Sequence, residues 1–389
     1  MIFKIAWTNF YRQGIRAFLN TLITALTLIA LIFMVSLFNG FQAQATHNLV
    51  ITDVGGGHYR APGFDILTPT EWEDKTRPVP SSLAGLPRGE KAEVLIQQGQ
   101  LFPNRRLYPV QLRGVEMGQT LLQVPLAGLE SFPAEPPDVV PVVVGTKMAS
   151  RTRLEKGDTV ILKFRDRFGV VDAREVVVVD VADIVNPRLD EGVVWLRIDH
   201  LRKLTRREGE ITWVAVDGFK GPVSGFEFHT PEMLMSDLLT LLRYDRRNAK
   251  VLMSILLFLT GISIFNSQFL NVFKRQKEIG TLMALGMEAR RIVRLFTLEG
   301  SLAAVGAIFL GALLGIPLFL WFQSIGLDVS HLSEATMPVR EKIFLEFRPV
   351  EIVSVLTFVV ALMVFVAWLP VRKIAGLDAT LALRGRAIT

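Results

Sequence analysis

Residue types capable of covalent or metal chemistry are present in this chain, but not at the spacings such chemistry needs. The five histidines (His47, His58, His200, His229, His331) contain no H-x-x-x-H pair, so no helix face offers two imidazoles to a metal. Cysteine is absent, which excludes a disulfide scaffold, a thiolate zinc site, an iron–sulfur cluster and a thiol nucleophile. Gly55-Gly56-Gly57 has no following Lys-Ser/Thr, so it reads as a turn rather than a phosphate cradle. Neither G-x-x-x-x-G-K-[ST] nor G-x-S-x-G occurs, so the sequence encodes no P-loop and no hydrolase elbow.

Two other patterns carry function. The stretch KRQKEIGTLMALGMEARRIVRLFTLEG at 274–300 opens with charge and then sets Ile279, Leu282, Met283 and Leu285 on a small apolar face. Gly280 and Gly286 allow a close approach or a chain reversal. A compact apolar face on a short polar helix suits docking into another protein's groove, although an ordinary solvated connector would share the pattern. In the N-terminal MIFKIAWTNFYRQGIRAF, Phe3, Trp7, Phe10 and Tyr11 fall on one helical face, and Lys4, Thr8, Arg12 and Arg16 on another. That is an amphipathic helix lying at a membrane interface.

Long apolar segments must position these patterns. Half the residues are apolar and only 21% are charged. A bilayer span needs about 20 mostly apolar residues, and four segments qualify: 18–41, 251–273, 298–323 and 351–370. Pro370 is expected to end the last helix. Around the spans, the reading gives an elbow helix at 1–17, a large α+β domain at 42–250, a coupling loop at 274–297, a short loop at 324–350 and a tail at 371–389. The first span reads as a permanent anchor, because its apolar run is too long for a cleaved signal. Within 42–250, strands are expected at Ala92–Gln97, Val139–Val144, Thr159–Phe164, Glu175–Val181, Val193–Ile198 and Thr212–Val216, with a hairpin turn at Arg165–Gly169. Segments 42–115 and 210–250 are expected to make one porter-like part, with 116–209 as an inserted β-rich subdomain.

The net charge of +6 has an address. Segments 1–17, 274–297 and 371–389 carry net charges of +3, +4 and +3, while 42–250 holds 27 basic against 28 acidic residues. The positive-inside rule then places both termini and the 274–297 loop in the cytoplasm, and 42–250 outside. The basic balance is a topology signal rather than a nucleic-acid footprint. Asn266, Gln268 and Asn271 near the inner end of span two are expected to hydrogen-bond a neighbour or to seal a dimer interface.

KRQKEIGTLMALG resembles the motif between the second and third spans of the macrolide-exporter/FtsX-like ABC permeases. Other matches follow the chain order. SLFNGF at 36–41 resembles the end of the first span in lipoprotein-releasing (Lol-type) subunits. VVVGTKMASRTRLEKGDTVIL at 142–162 resembles a segment of the family's periplasmic domain, and LPVRKIAGLDATLALRG at 369–385 its C-terminal tail. The tail departs at Ala379, which replaces a proline after Asp378, and Met287-Glu288 replaces Ala-Ser.

The resemblance implies an α-helical membrane protein with four transmembrane helices and a large extracytoplasmic α+β domain between the first two. It implies an ATPase-coupling helix at Lys277, Glu278, Ile279, Gly280, Leu282, Ala284, Leu285 and Gly286, and an elbow at Lys4, Trp7, Asn9 and Arg12. Turn roles are implied for Gly145, Gly157 and Asp158. Asn39, Phe41, Phe258 and Phe265 are assigned to a dimer or substrate face of the first two spans. No cofactor is expected on this chain, with ATP and Mg held by a separate ABC ATPase dimer. The other implied partners are a second permease copy or paralogue and a lipoprotein or its periplasmic carrier, in a bacterial inner membrane. One Lol-type subunit carries a long hook that recruits the carrier, whereas the equivalent turn here is only Arg165–Gly169. The resemblance therefore leaves open lipoprotein or amphiphile extraction, mechanical signalling to a periplasmic partner, and tripartite efflux.

Overall fold

The computed structural model describes residues 14–125, 127–132, 139–328 and 342–375. The chain divides into two compact units: a helical one from residues 1–41, 243–327 and 344–389, and an α+β one from 42–242 and 328–343.

The helical unit is built on α1 (Ile15–Leu49), α2 (Ser236–Lys274), α3 (Gln276–Ala284), α4 (Ala289–Ile325) and α5 (Pro349–Ala375). Of these, α1, α2, α4 and α5 are long and apolar enough to cross a membrane. The helices outrun the apolar segments read from the sequence. α2 begins at Ser236 rather than near 251, because 236–250 forms a polar helical extension held by buried Leu238, Leu242 and Ala249. α4 begins at Ala289 rather than near 298, and its helix and that of α5 shorten the 324–350 loop from both ends. Pro370 does not end the last helix: α5 continues to Ala375. A proline removes one helical hydrogen bond, and Val371, 1% exposed, packs into a cluster that holds the next turn.

Small residues let the helices approach. Gly300, Ala304, Ala307, Gly311 and Gly315 recur along one ridge of α4, a small-xxx-small pattern. A Cβ at Gly300 would lie 2.7 Å from Ala367 Cβ, and one at Gly315 would lie 3.2 Å from Ile29. Ala25, Leu28 and Leu31 of α1 complete this core with Ile264, Val359 and Met363.

In the α+β unit, nine strands form one sheet: β1 (His58–Arg60), β2 (Lys91–Leu101), β3 (Tyr108–Val115), β4 (Val140–Gly145), β5 (Thr159–Arg165), β6 (Val171–Ala182), β7 (Val193–Arg197), β8 (Trp213–Val216) and β9 (Glu227–His229). Their spatial order is β9-β1-β8-β2-β3-β7-β4-β6-β5. β5 also pairs back onto β2 through Gly99↔Phe164, Gln100↔Lys163 and Leu101↔Leu162. Strands β2 to β7 therefore close into a six-stranded barrel, and β8, β1 and β9 extend one wall. Closure removes the exposed edges that an open sheet would leave. The segments read as separate subdomains share this sheet, with β2 and β3 from 91–115 serving as barrel staves. The barrel alternates inward Val142, Val144, Leu162, Val176, Val178 and Val194 with outward residues.

The turn roles implied for Gly145, Gly157 and Asp158 have clear geometry. A Cβ at Gly145 would lie 2.4 Å from the Asp190 carbonyl oxygen. Gly157 takes φ +98° and donates its N–H to Val178 O, and the Asp158 carboxylate accepts from the Glu155 N–H at 2.8 Å. In the β5–β6 turn, Asp166 Oδ1 accepts from the N–H groups of Phe168 and Val170, both at 2.9 Å.

Candidate coupling site

The junction between α2 and α4 is organised by Arg275. It lies at φ −99°, ψ 14°, outside helical geometry, and so separates α2 from α3. Its guanidinium reaches three ways. Nε donates to the Glu278 carboxylate at 2.7 Å, Nη1 donates to the Glu299 carboxylate on α4, and the charge sits 4.8 Å from the Phe296 ring centroid. Glu299 is 2% exposed. A buried carboxylate persists only when paired, so Arg275 is what permits an acid at the start of the third span.

α3 closes with a Schellman motif. Gly286 takes φ +87°, its N–H donates to Met283 O, and the Met287 N–H donates to Leu282 O, both at 3.0 Å. Met287 then packs with Leu282 and Met283 against Val272, Ile279, Ile292, Leu295 and Phe296.

This packing corrects the docking face read from the sequence. Ile279 is fully buried and Gly280 is buried beside it, while Leu282 and Met283 are half-buried on the same cluster. The apolar face turns inward because its partner is α4 of the same chain. What α3 presents outward is Lys277, Glu278, Thr281, Ala284, Leu285 and Gly286. Lys277, Thr281 and Leu285 share one face at spacings of four, and Leu285 is 79% exposed.

At the other end of the helical unit, Asn39 ties three helices together. Its Nδ2 donates to Glu351 Oε2 at 2.6 Å, and its Oδ1 accepts from Arg246 Nη2 at 3.1 Å. Arg246 Nη2 also lies 3.3 Å from Glu351 Oε1. Asn39 is 1% exposed, so it lies inside the bundle and not on an open dimer or substrate face. Phe41 is half-buried. Phe265 packs on the core and stacks on Phe269 with centroids 5.8 Å apart. Of the four residues assigned to that face, Phe258 is the open one, at 69% exposure. Gln268 is buried against Gly300, and Asn266 is exposed.

Between the two ends, Asn20 bonds Ser267, and the Thr27 and Thr260 hydroxyls lie 3.1 Å apart. With Asn39–Arg246 these make three polar rungs between antiparallel α1 and α2. Interhelical side-chain hydrogen bonds of this kind fix the register of apolar helices. Lys4, Trp7, Asn9 and Arg12, like Asp378, lie outside the described residues.

The α+β unit has a polar node of its own where α1 gives way to a π-helical turn, Val50–Val54. Asp53 pairs with Arg113 of β3 at 2.6 Å. The Arg113 guanidinium lies between Trp195 and Trp213, at 5.3 and 5.4 Å from their centroids. His58 stacks on Trp213 and donates from Nε2 to the Asp53 carbonyl at 2.8 Å. Burial, reinforced by Arg60 and Arg113, pushes the His58 imidazole down to about 4, against the opposing charge of Asp53. No sequence motif announces this node, since its members are 5 to 160 positions apart. Among the described residues no cluster of three or more His, Asp or Glu side chains is placed to hold a metal.

Comparison with known proteins finds a similar domain over the segment that holds this site. The FtsX-like permease C-terminal domain matches residues 250–379. The macrolide export ATP-binding/permease protein MacB of Wolinella succinogenes is 33% identical over 130 residues, 33% of this chain. The match spans 18% of that relative's length. The periplasmic region of MacB from Actinobacillus actinomycetemcomitans aligns with 48% of this chain and 94% of its own, at 10% identity and a TM-score of 0.28. Residues 250–379, the segment that holds α3, α4 and most of α2 and α5, are thus similar to the FtsX-like permease C-terminal domain and to part of a MacB protein.

Proposed function

We propose that this chain is the non-catalytic membrane subunit of an ABC transporter. A separate ATPase dimer, holding ATP and Mg, would seat on the exposed edge of α3. A second permease copy or paralogue would complete the complex, with both termini in the cytoplasm and 42–242 in the periplasm. The observation that carries the reading is the coupling site itself. A short helix, buried on one face and open on the other, is clamped through Arg275 to both flanking spans. A push on Lys277, Thr281 and Leu285 would be delivered to α4 and α2 rather than absorbed by a soft loop. The polar rungs between α1 and α2 would pass that motion toward the α+β domain.

The cargo we favour is a lipoprotein or another amphiphile taken from the outer leaflet. Val251, Ile255 and Phe258 make an exposed apolar strip along α2, next to Arg247 and Lys250. Apolar wall below and positive charge above match an acylated, anionic-headed molecule. The test is reconstitution with the ATPase. The chain has no native cysteine, so cysteine pairs introduced across two copies of 42–242 give an unambiguous crosslink. Crosslinking should change on ATP addition, and purified lipoprotein should stimulate hydrolysis. Crosslinks indifferent to ATP would sink the coupling proposal. A response to ATP without lipoprotein stimulation would remove the cargo alone.

A further inference from the structure

A groove lies at the α3 end of the helical unit, between α4 and α5, and the coupling reading does not use it. It is open to the surface, offers about 820 Å³ and is lined by Arg290, Arg294, Thr297 and Leu298 of α4 and by Trp368 and Arg372 of α5. On α4, Arg290, Arg294, Thr297 and Leu298 fall on one face at helical spacing. On α5, Trp368 and Arg372 are one turn apart, with the guanidinium 4.9 Å from the indole centroid. Among the described residues no carboxylate pairs with any of the three arginines, although Arg275 and Arg291 nearby both have acidic partners.

Three features point to the occupant. Arg294 and Arg372 lie just outside the apolar runs of α4 and α5, with Arg290 one turn further out, where phosphates of a leaflet lie. Trp368 stands beside them as an interfacial residue does. The Thr297 hydroxyl is buried without a partner, and Leu298, 39% exposed, lies about 6 Å along the helix from Arg294. Positive charge, an indole, an unused hydroxyl and then an apolar wall follow the order of a phospholipid from headgroup to acyl chain. We propose that this groove binds the phosphate headgroup and upper acyl chains of an anionic phospholipid, so that α4 and α5 are joined by a lipid at the base of the coupling helix. A basic pocket between spans at the membrane surface is a recurrent headgroup site.

The test uses the full chain and native mass spectrometry, with phosphatidylglycerol and phosphatidylcholine of identical acyl chains. Wild type should retain phosphatidylglycerol with about tenfold preference. Arg290→Gln/Arg294→Gln should lose that preference, whereas Lys274→Gln/Arg291→Gln, removing the same charge from the same end outside the groove, should keep it. Equal retention of the two lipids by wild type, or equal loss in both variants, overturns the proposal. Should the arginine variant fail to fold, quenching by brominated lipid supplies a separate readout. Brominated phosphatidylglycerol should quench wild type more than Trp368→Phe, and brominated phosphatidylcholine should not distinguish them. The same difference with both lipids overturns the proposal, as does displacement of the retained lipid by the ATPase subunit, which would make the groove a protein interface.

Discussion

The helical unit fastens its two ends with the same chemistry in different degrees. At the coupling end, Arg275 holds Glu299, with side chains 18% and 2% exposed. At the other end, Arg246 holds Glu351, with side chains 40% and 33% exposed. Arg246 lies in α2 and Arg275 just past its end, and each pairs with a later span. One is sealed inside apolar packing and the other stays wet, shared with Asn39. A sealed ion pair resists separation because neither charge has water to turn to. A wet pair can open and exchange partners at small cost. The bundle therefore has a sealed clamp at one end and a more exposed one at the other.

The largest expected effect breaks this contrast directly. Glu299→Ala leaves Arg275 with only the exposed Glu278 as a carboxylate partner and should cost about 3 kcal/mol, the low end for breaking a buried pair. Glu351→Ala, at a pair more than a third exposed on one side, should cost less, about 1–2 kcal/mol, most of it from the Asn39 amide left without this acceptor. Thermal unfolding of the full chain in detergent checks both, and equal shifts would show that the two clamps do not differ. The clamp reading also predicts that Glu299→Ala uncouples ATPase stimulation before it abolishes assembly.

A third clamp, in the α+β unit, sharpens the comparison because it contains a titrating group. His58 sits beside the Asp53–Arg113 pair with its imidazole pushed by burial from 6.5 to about 4. The unfolded chain thus binds a proton that the folded chain refuses between pH 6.5 and 4. Stability from a neutral His58 is whole above 6.5 and is lost as pH falls toward 4, by on the order of 3 kcal/mol. Asp190 acts oppositely, since burial raises its carboxyl from 3.8 to about 6, and it loses stability as pH rises through that range. The two nearly cancel between pH 4 and 6, so total stability hides both. His58→Phe keeps a ring against Trp213 and removes the proton. The stability difference between wild type and this variant should shrink on going from pH 7 to pH 4, and a constant difference would refute the buried neutral histidine.

Local pattern was legible in the sequence and pairing was not. Six strands stand where short runs rich in Val, Ile and Leu placed them, β5 by its alternation and the others chiefly as buried apolar runs between turn signals. β3 escaped notice, since Pro109, Gln111, Arg113 and Gly114 interrupt its alternation. Barrel closure depends on Gly99–Leu101 meeting 162–164, a pairing no local window contains. The first fifteen residues of α2 read as domain because polar helix does not register as span. At the coupling site the helix and its turn were visible, but which face turns outward depended on α4. Glu299 carried the one available signal, a carboxylate at the border of an apolar run. Its partner lies 24 positions back and could be identified only in three dimensions.

A smaller effect tests the turn that sets the coupling helix. Gly286 at φ +87° closes the Schellman motif, and no neighbour lies within 4 Å of a Cβ placed there. Gly286→Ala therefore meets backbone strain alone, about 1 kcal/mol. The amides of Gly286 and Met287 donate back into α3, so hydrogen exchange at these two positions should quicken while α4 is unchanged. Quickening throughout α4 would mean that the turn and the span unfold as one piece.

The smallest effect on stability separates clamp from contact. Leu285 is 79% exposed and touches none of the cluster that buries Ile279. Leu285→Ser should therefore leave the unfolding midpoint within about 0.5 kcal/mol of wild type. Ile279→Ala, at a fully buried position, should cost about 2–5 kcal/mol. If the open edge of α3 is where an ATPase seats, Leu285→Ser should nevertheless abolish stimulated hydrolysis in the reconstituted complex, because an exposed leucine on a polar edge has value only when something covers it. A variant that is stable and fully coupled would move the docking surface away from α3. One that is unstable would mean Leu285 belongs to the cluster, and the distinction between the buried and the open face of this helix would collapse.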